Sequence, residues 1–290
     1  MMLERLSPCK VNLLLNILGK RADGYHELET VLHPVKLFDR LSFEREGSEV
    51  ALTCSDPSLS VDSTNLVHRA ATVFLDTAGI RDGVRIHLEK SIPIAAGLGG
   101  GSSNAATTLL GLNELFGQPL SAQKLIELAA ALGSDVPFFL QDRPALATGR
   151  GECVTALEPF HAMEGLACLL INPGFGIPTP WAYRELAKFP EALQGRPGRA
   201  QRLVSLLQGD DITRAGAEFY NSLEVPALHT YSVLARYQEC LRANGAVATL
   251  MSGSGSTTFA LARNRLAGEA LAERFKEKFG QTCWMAVVAL

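Results

Sequence analysis

Pro93-Ile94-Ala95-Ala96-Gly97-Leu98-Gly99-Gly100-Gly101-Ser102-Ser103-Asn104-Ala105-Ala106 is the stretch from which the fold is read. Four of the five residues from Gly97 to Gly101 are glycine, and each ordered glycine costs roughly 0.5–1 kcal/mol more backbone entropy than alanine. The return for that cost is anion binding: glycines let several main-chain N–H groups turn inward and approach a ligand closely. A helix is expected next. Ser102 or Ser103 is its expected cap, Ala105-Ala106 favour it, and Leu109, Leu110, Leu112 and Leu115 supply apolar residues. Its N-terminus adds partial positive charge. The stretch reads as a phosphate cradle, against the plainer reading of a flexible loop before a core helix.

Two common cradles do not match. A nucleoside-triphosphate P-loop ends in Gly-Lys-Ser/Thr, whereas Gly101 is followed by Ser102-Ser103. The dinucleotide fingerprint needs glycine at its first, third and sixth positions, and the sixth counted from Gly97 is Ser102.

The 290 residues suffice for one large or two ordinary domains. A hydrophobic share of 47% and a charged share of 20% are those of a globular enzyme. The net charge of −3, with no clustering of lysine and arginine, points away from nucleic acid and membrane surfaces. The six cysteines are scattered without paired spacing, which fits neither a disulfide framework nor a zinc site. No apolar signal core follows Met1-Met2-Leu3-Glu4-Arg5, and no apolar run of about 18 residues occurs. A cytoplasmic protein is expected, as a monomer or weak homodimer with small-molecule partners.

Working outward from the cradle, Leu6–Leu18 reads as a strand on which Lys10 and Asn12 share a face. Lys10 is either an edge residue in water or a charge held for a purpose. Tyr25 and His26 leave a polar turn, as ordinary loop residues or as faces for stacking a base. Ser63-Thr64-Asn65 opens a helix that stops at Gly79, and a second helix from about Ser121 stops at Gly133. Asp135 follows that stop, either capping a short turn or serving chemistry. Later helices are expected at 199–207, 212–223, 225–243 and 265–279. Ser252-Gly253-Ser254-Gly255-Ser256 joins two apparent strands, as a tight hairpin or as a second backbone surface facing phosphate. Strands and helices alternate irregularly, so the expected class is α+β.

These pieces resemble the GHMP kinases, the group of galactokinase, homoserine kinase, mevalonate kinase and phosphomevalonate kinase. The glycine stretch carries the likeness to the superfamily. Ser7-Pro8-Cys9-Lys10-Val11-Asn12-Leu13, Arg21-Ala22-Asp23-Gly24-Tyr25-His26, Gly133-Ser134-Asp135-Val136-Pro137-Phe138 and Pro178-Thr179-Pro180 are similar to the branch whose acceptor is 4-diphosphocytidyl-2-C-methyl-D-erythritol. These motifs keep the family's order. Two departures are Cys9, where alanine is usual, and Asn172 before Pro173-Gly174, where histidine is common.

The resemblance implies a two-domain fold: a ribosomal-protein-like α+β domain over 1–155 and a ferredoxin-like domain over 160–290. It implies an ATP-dependent kinase acting on the acceptor's 2-hydroxyl in the non-mevalonate route to isoprenoid precursors. Asp135 matches the family's proton acceptor, and Lys10 the lysine beside it. Asn12, Tyr25, His26, Thr179 and Tyr183 match acceptor-binding positions. Asn65, Leu66 and Lys90 match positions around the ATP base, Pro93–Ser103 the triphosphate loop, and Ser252–Ser256 a third motif close to the phosphates. ATP with Mg2+ is implied, with no dedicated protein metal site. The alternatives are another GHMP kinase of homoserine or mevalonate type, and a non-catalytic nucleotide-sensing relative.

Overall fold

The computed structural model describes residues 2–290. The chain divides into two units that are not contiguous in sequence. The first holds the residues up to Cys9, Leu37–Pro93 and Gly99–Asp142; the second holds Lys10–Lys36, Ile94–Leu98 and Arg143–Leu290. Two long strands, β1 (Met2–Lys20) and β2 (His26–Arg45), contribute residues to both.

In the first unit, the C-terminal half of β2 pairs antiparallel with β4 (Val84–Glu89), from Arg40 opposite Glu89 to Arg45 opposite Val84. β3 (Val50–Cys54) pairs with β4 in parallel. β4 alternates strictly: Val84, Ile86 and Leu88 are buried, while Arg85, His87 and Glu89 are exposed, the pattern of a sheet with one face on a core. α1 (Leu66–Ala78) starts at Asn65, whose side chain accepts from the Val67 N–H, and stops at Gly79 in the left-handed conformation. α3 (Ala122–Leu132) starts at Ser121 and stops at Gly133. All four of these boundary residues are legible in the sequence.

α2 (Gly100–Leu115) corrects one expectation. Neither Ser102 nor Ser103 caps it. The N-cap is Gly99, left-handed and without a side-chain cap bond, so Gly100 and Gly101 belong to the first helical turn. A Cβ on Gly100 would stand 3.1 Å from the Ile92 side chain and 3.3 Å from Lys90 Nζ. Glycine lets the helix begin early against these two residues. The hydroxyl of Ser103 is instead buried against that of Ser7 at 2.7 Å.

In the second unit, the N-terminal half of β2 pairs with β5 (Ala145–Gly149), and β5 returns as β6 (Cys153–Ala156). A separate antiparallel sheet contains β7 (Ala167–Asn172), β9 (Ala248–Met251), β10 (Thr258–Ala262) and β11 (Trp284–Ala289), in the order β11-β7-β10-β9. With helices between β7 and β9 and between β10 and β11, this is the ferredoxin-like arrangement. Its helices are α4 (Thr179–Leu186), α5 (Pro190–Leu193), α6 (Arg199–Gln208), α7 (Ile212–Gly216), α8 (Glu224–Thr230), α9 (Ser232–Ala243) and α10 (Arg265–Phe279). Leu169, Ile171, Ala260, Leu241, Leu271 and Phe275 meet in its core.

Two expected helices are interrupted. The stretch 212–223 is helical only to Gly216, because β8 (Tyr220–Asn221) pairs in parallel with β1, Leu14 opposite Tyr220 and Leu15 opposite Asn221. The stretch 225–243 splits at Tyr231, whose ring lies 5.1 Å from Phe175 and 5.6 Å from Trp181. Long-range pairing in one case and aromatic packing in the other override local helical spacing. No helix of the described residues is long and apolar enough to cross a membrane.

Candidate active site

Lys10 is the centre of a cluster of sequence-derived site residues within the second unit. It is 3% exposed, so the alternative of an edge lysine in water is excluded. Nζ donates to Asn12 Oδ1 at 2.5 Å and to the Gly97 carbonyl at 3.2 Å. The pleat of β1 puts Lys10 and Asn12 on one face, as alternation predicts. Asn12 Nδ2 donates to Thr30 Oγ1 at 2.9 Å, which fixes the amide so that its oxygen faces the lysine.

The glycine stretch meets this lysine through Gly97. The Lys10 N–H donates to the Leu98 carbonyl at 3.0 Å. Gly97 has φ 79°, and a Cβ there would stand 3.0 Å from the Gly255 nitrogen and collide with the Ser252 carbonyl. Only glycine meets both conditions. Ser252–Ser256 closes the β9–β10 hairpin, so the hairpin reading holds for its backbone. The same turn lies on the glycine stretch: Ser252 Oγ donates to the Gly97 carbonyl at 2.9 Å, and the Thr257 N–H to the Ala96 carbonyl at 3.2 Å. A Cβ on Gly253 would stand 3.3 Å from Lys10 Nζ.

Aromatic groups gather in the same unit. The His26 and Tyr183 rings stack with centroids 4.9 Å apart and planes at 29°. Burial, with Lys20 adding to it, holds the His26 imidazole below its ordinary value, so the ring is neutral at pH 7 and offers one donor and one acceptor nitrogen. Tyr25 is exposed beneath the Arg150 guanidinium at 4.8 Å. Thr179, at the start of α4, shares a hydrogen bond with Ser254 Oγ at 3.0 Å.

The first unit holds the other half of the sequence-derived set. Gly99 and the first turn of α2 present main-chain N–H groups with no side-chain cap and no acidic residue in that turn. This suits a triphosphate, since an anion at a helix start gains from both the N–H groups and the helix dipole. Leu66, at the start of α1, lies 3.6 Å from where a Gly101 Cβ would be. Lys90 is paired with the fully buried Asp39. Asp39 also accepts from the Ser91 and Ile92 N–H groups at 2.8 and 2.9 Å and from Asn104 Nδ2 at 2.9 Å. It thereby ties the lead-in of the glycine stretch to α2. Sequence reasoning missed Asp39, because Lys36 and Arg40 beside it in the same strand make it look like one more surface charge. Asp135 is half-buried between the end of α3 and the short 3₁₀ turn Pro137–Leu140. That turn has Val136 as its N-cap and no side-chain cap bond, so Asp135 is not its cap.

Comparison with known proteins separates the remaining readings. The family model for the GHMP kinases N terminal domain matches residues 65–143, and that for the GHMP kinases C terminal domain matches residues 189–281. The chain belongs to the GHMP kinases. Among GHMP kinases, the 4-diphosphocytidyl-2-C-methyl-D-erythritol kinase of Syntrophotalea carbinolica is 38% identical over 280 residues, 95% of each chain. The crystal structure of a 4-(cytidine 5'-diphospho)-2C-methyl-D-erythritol kinase matches with a TM-score of 0.82 at 38% identity, covering 99% of this chain and 100% of that one. A homoserine kinase from Cytophaga hutchinsonii matches at 0.77 with 20% identity, over 100% of this chain and 95% of its own, a likeness of fold alone. GHMP kinases use ATP as phosphoryl donor. Among the described residues, no group of three or more His, Cys, Asp or Glu is placed to hold a metal ion.

Proposed function

We propose that this chain is an ATP-dependent kinase of 4-diphosphocytidyl-2-C-methyl-D-erythritol, transferring a phosphoryl group to its 2-hydroxyl in the cytoplasmic, non-mevalonate synthesis of isoprenoid precursors. Full-length relatives at 38% identity carry that activity in their names. The observation that favours this acceptor over those of other GHMP kinases is the His26–Tyr183 stack beside Thr179 and Tyr25. A cytosine ring needs an aromatic face and paired donor and acceptor groups, and neither homoserine nor mevalonate has a base to use them.

In this reading the main-chain amides of Pro93–Ser103 hold the triphosphate, with Asn65, Leu66 and Lys90 toward the adenine. The acceptor oxygen forms a bond to the γ-phosphorus, the bond from that phosphorus to the bridging oxygen breaks, and ADP leaves. Asp135 takes the hydroxyl proton. Lys10 offsets charge on the phosphoryl group, and Asn12 keeps the ammonium aimed. Phosphoryl transfer passes through a loose transition state, so this positioning and charge balance are most of what a protein supplies. Bound together with the nucleotide, Mg2+ would offset phosphate charge.

An ADP-release assay with purified protein, ATP and Mg2+ tests the proposal against a panel of acceptors. Turnover is expected with the cytidyl-diphosphate polyol and not with methylerythritol phosphate, homoserine or mevalonate. Equal turnover without the cytidyl group would transfer the chain to another branch, and no turnover at all would favour a sensor.

A further inference from the structure

Asn221 is 1% exposed, a buried polar side chain on β8. Its Nδ2 donates to the Met251 carbonyl at 2.8 Å and to the Gly253 carbonyl at 2.7 Å, while its Oδ1 accepts from the Leu223 N–H at 2.9 Å. Both amide hydrogens are therefore spent on the two carbonyls that flank Ser252. Met251 is held on its other side as well, its N–H donating to Glu224 Oε1 at 2.9 Å.

The backbone that carries Asn221 is fixed to the strand that carries Lys10. β8 pairs with β1 at Leu14 and Leu15. The Ser222 N–H donates to the Leu15 carbonyl at 2.8 Å, and Ser222 Oγ accepts from the Ile17 N–H at 3.1 Å. At the far end of the clamp, Gly253 lies against both Lys10 and Asn12: a Cβ there would stand 3.3 Å from Nζ and 3.4 Å from Oδ1. Ser252 Oγ and Lys10 Nζ donate to the same Gly97 carbonyl. A shift of the turn thus moves the groups around the lysine, and Asn221 reaches them through the Gly253 carbonyl.

We propose that Asn221 is a positioning residue that sets the Ser252–Ser256 turn against Lys10. This rests on the kinase reading above. Replacing its two donor hydrogens with a carboxylate oxygen turns two carbonyls away and lets the turn drift, and misplacement by about 1 Å costs on the order of 10²-fold in rate.

The test uses the full chain with ATP, Mg2+ and the cytidyl-diphosphate polyol, comparing wild type, Asn221→Asp, Lys10→Met, the double variant and Leu234→Ala. Leu234 is a fully buried α9 leucine and controls for general loss of stability. Asn221→Asp is expected to lower kcat about 10- to 100-fold with KM for the acceptor changed less than about threefold, and to add less than about threefold to the loss in Lys10→Met. Leu234→Ala is expected to keep kcat within about twofold below its melting temperature. Should Asn221→Asp not fold, Asn221→Ala removes the donors without burying a charge and carries the same comparison. The proposal is overturned if kcat survives, if Leu234→Ala loses as much, or if the full factor persists without Lys10. Absence of wild-type turnover would overturn the kinase reading itself; wild-type turnover with an unaffected Asn221 variant would overturn only this proposal.

Discussion

Lys10 Nζ donates to Asn12 Oδ1 at 2.5 Å, and the two side chains are buried on one face of β1. The ammonium's partners include two neutral oxygens, those of Asn12 and Gly97. Lys10→Met is expected to lower kcat roughly 10²- to 10³-fold, the scale of losing one preorganised charge-stabilising donor, with acceptor KM little changed. Lys10→Arg is not expected to rescue it, because a planar fork does not replace a point charge. Steady-state kinetics over both substrates checks this.

Asp135→Asn keeps the shape of the side chain and removes its ability to take a proton. Turnover is expected to fall roughly 10²- to 10⁴-fold, the range for a positioned general base, while ATP affinity measured by calorimetry stays within about twofold. Near-normal kcat would remove Asp135 from the chemistry.

Gly97→Ala combines two costs. The left-handed backbone at φ 79° penalises any side chain by roughly 1–2 kcal/mol, and the new methyl meets the Ser252 carbonyl and Gly255. Urea unfolding is expected to show a loss of at least that size, and KM for ATP should rise. An unchanged unfolding midpoint would contradict the geometry.

His33 gives a pH dependence with a definite sign. Burial lowers its folded pKa to about 4 from 6.5, with Lys36 adding to the effect and the hydrogen bond to the Pro34 carbonyl opposing it. Below pH 6.5 the unfolded chain takes a proton that the folded one refuses. Stability from this group is therefore complete above 6.5, falls between 6.5 and 4, and is flat below. The ring is half-buried, so the total is at most about 3 kcal/mol. In His33→Gln, that share of the pH slope should vanish from unfolding curves measured across the window.

Local signals were legible. Asn65 and Gly79 bound α1, and Ser121 and Gly133 bound α3, because capping involves only neighbouring residues. The shared face of Lys10 and Asn12 follows from the pleat alone. The early start of α2 did not show, because it depends on Ile92 and Lys90 lying against Gly100. β8 did not show either, because its partner β1 is some 200 residues away in the chain. Asp39 and Asn221 were missed for the same reason: each acts through hydrogen bonds to backbone far along the sequence.

The residue types, their spacing and the α+β class with its GHMP kinase likeness were determined by sequence alone, since periodicity, caps and motifs are written in adjacent positions. Tertiary structure decided that Lys10–Lys36 and Ile94–Leu98 group with the C-terminal half of the chain. It also decided that one carbonyl, that of Gly97, receives both Lys10 and Ser252. Those results come from long-range hydrogen bonds and close backbone approach, which form only once strands distant in the chain are side by side.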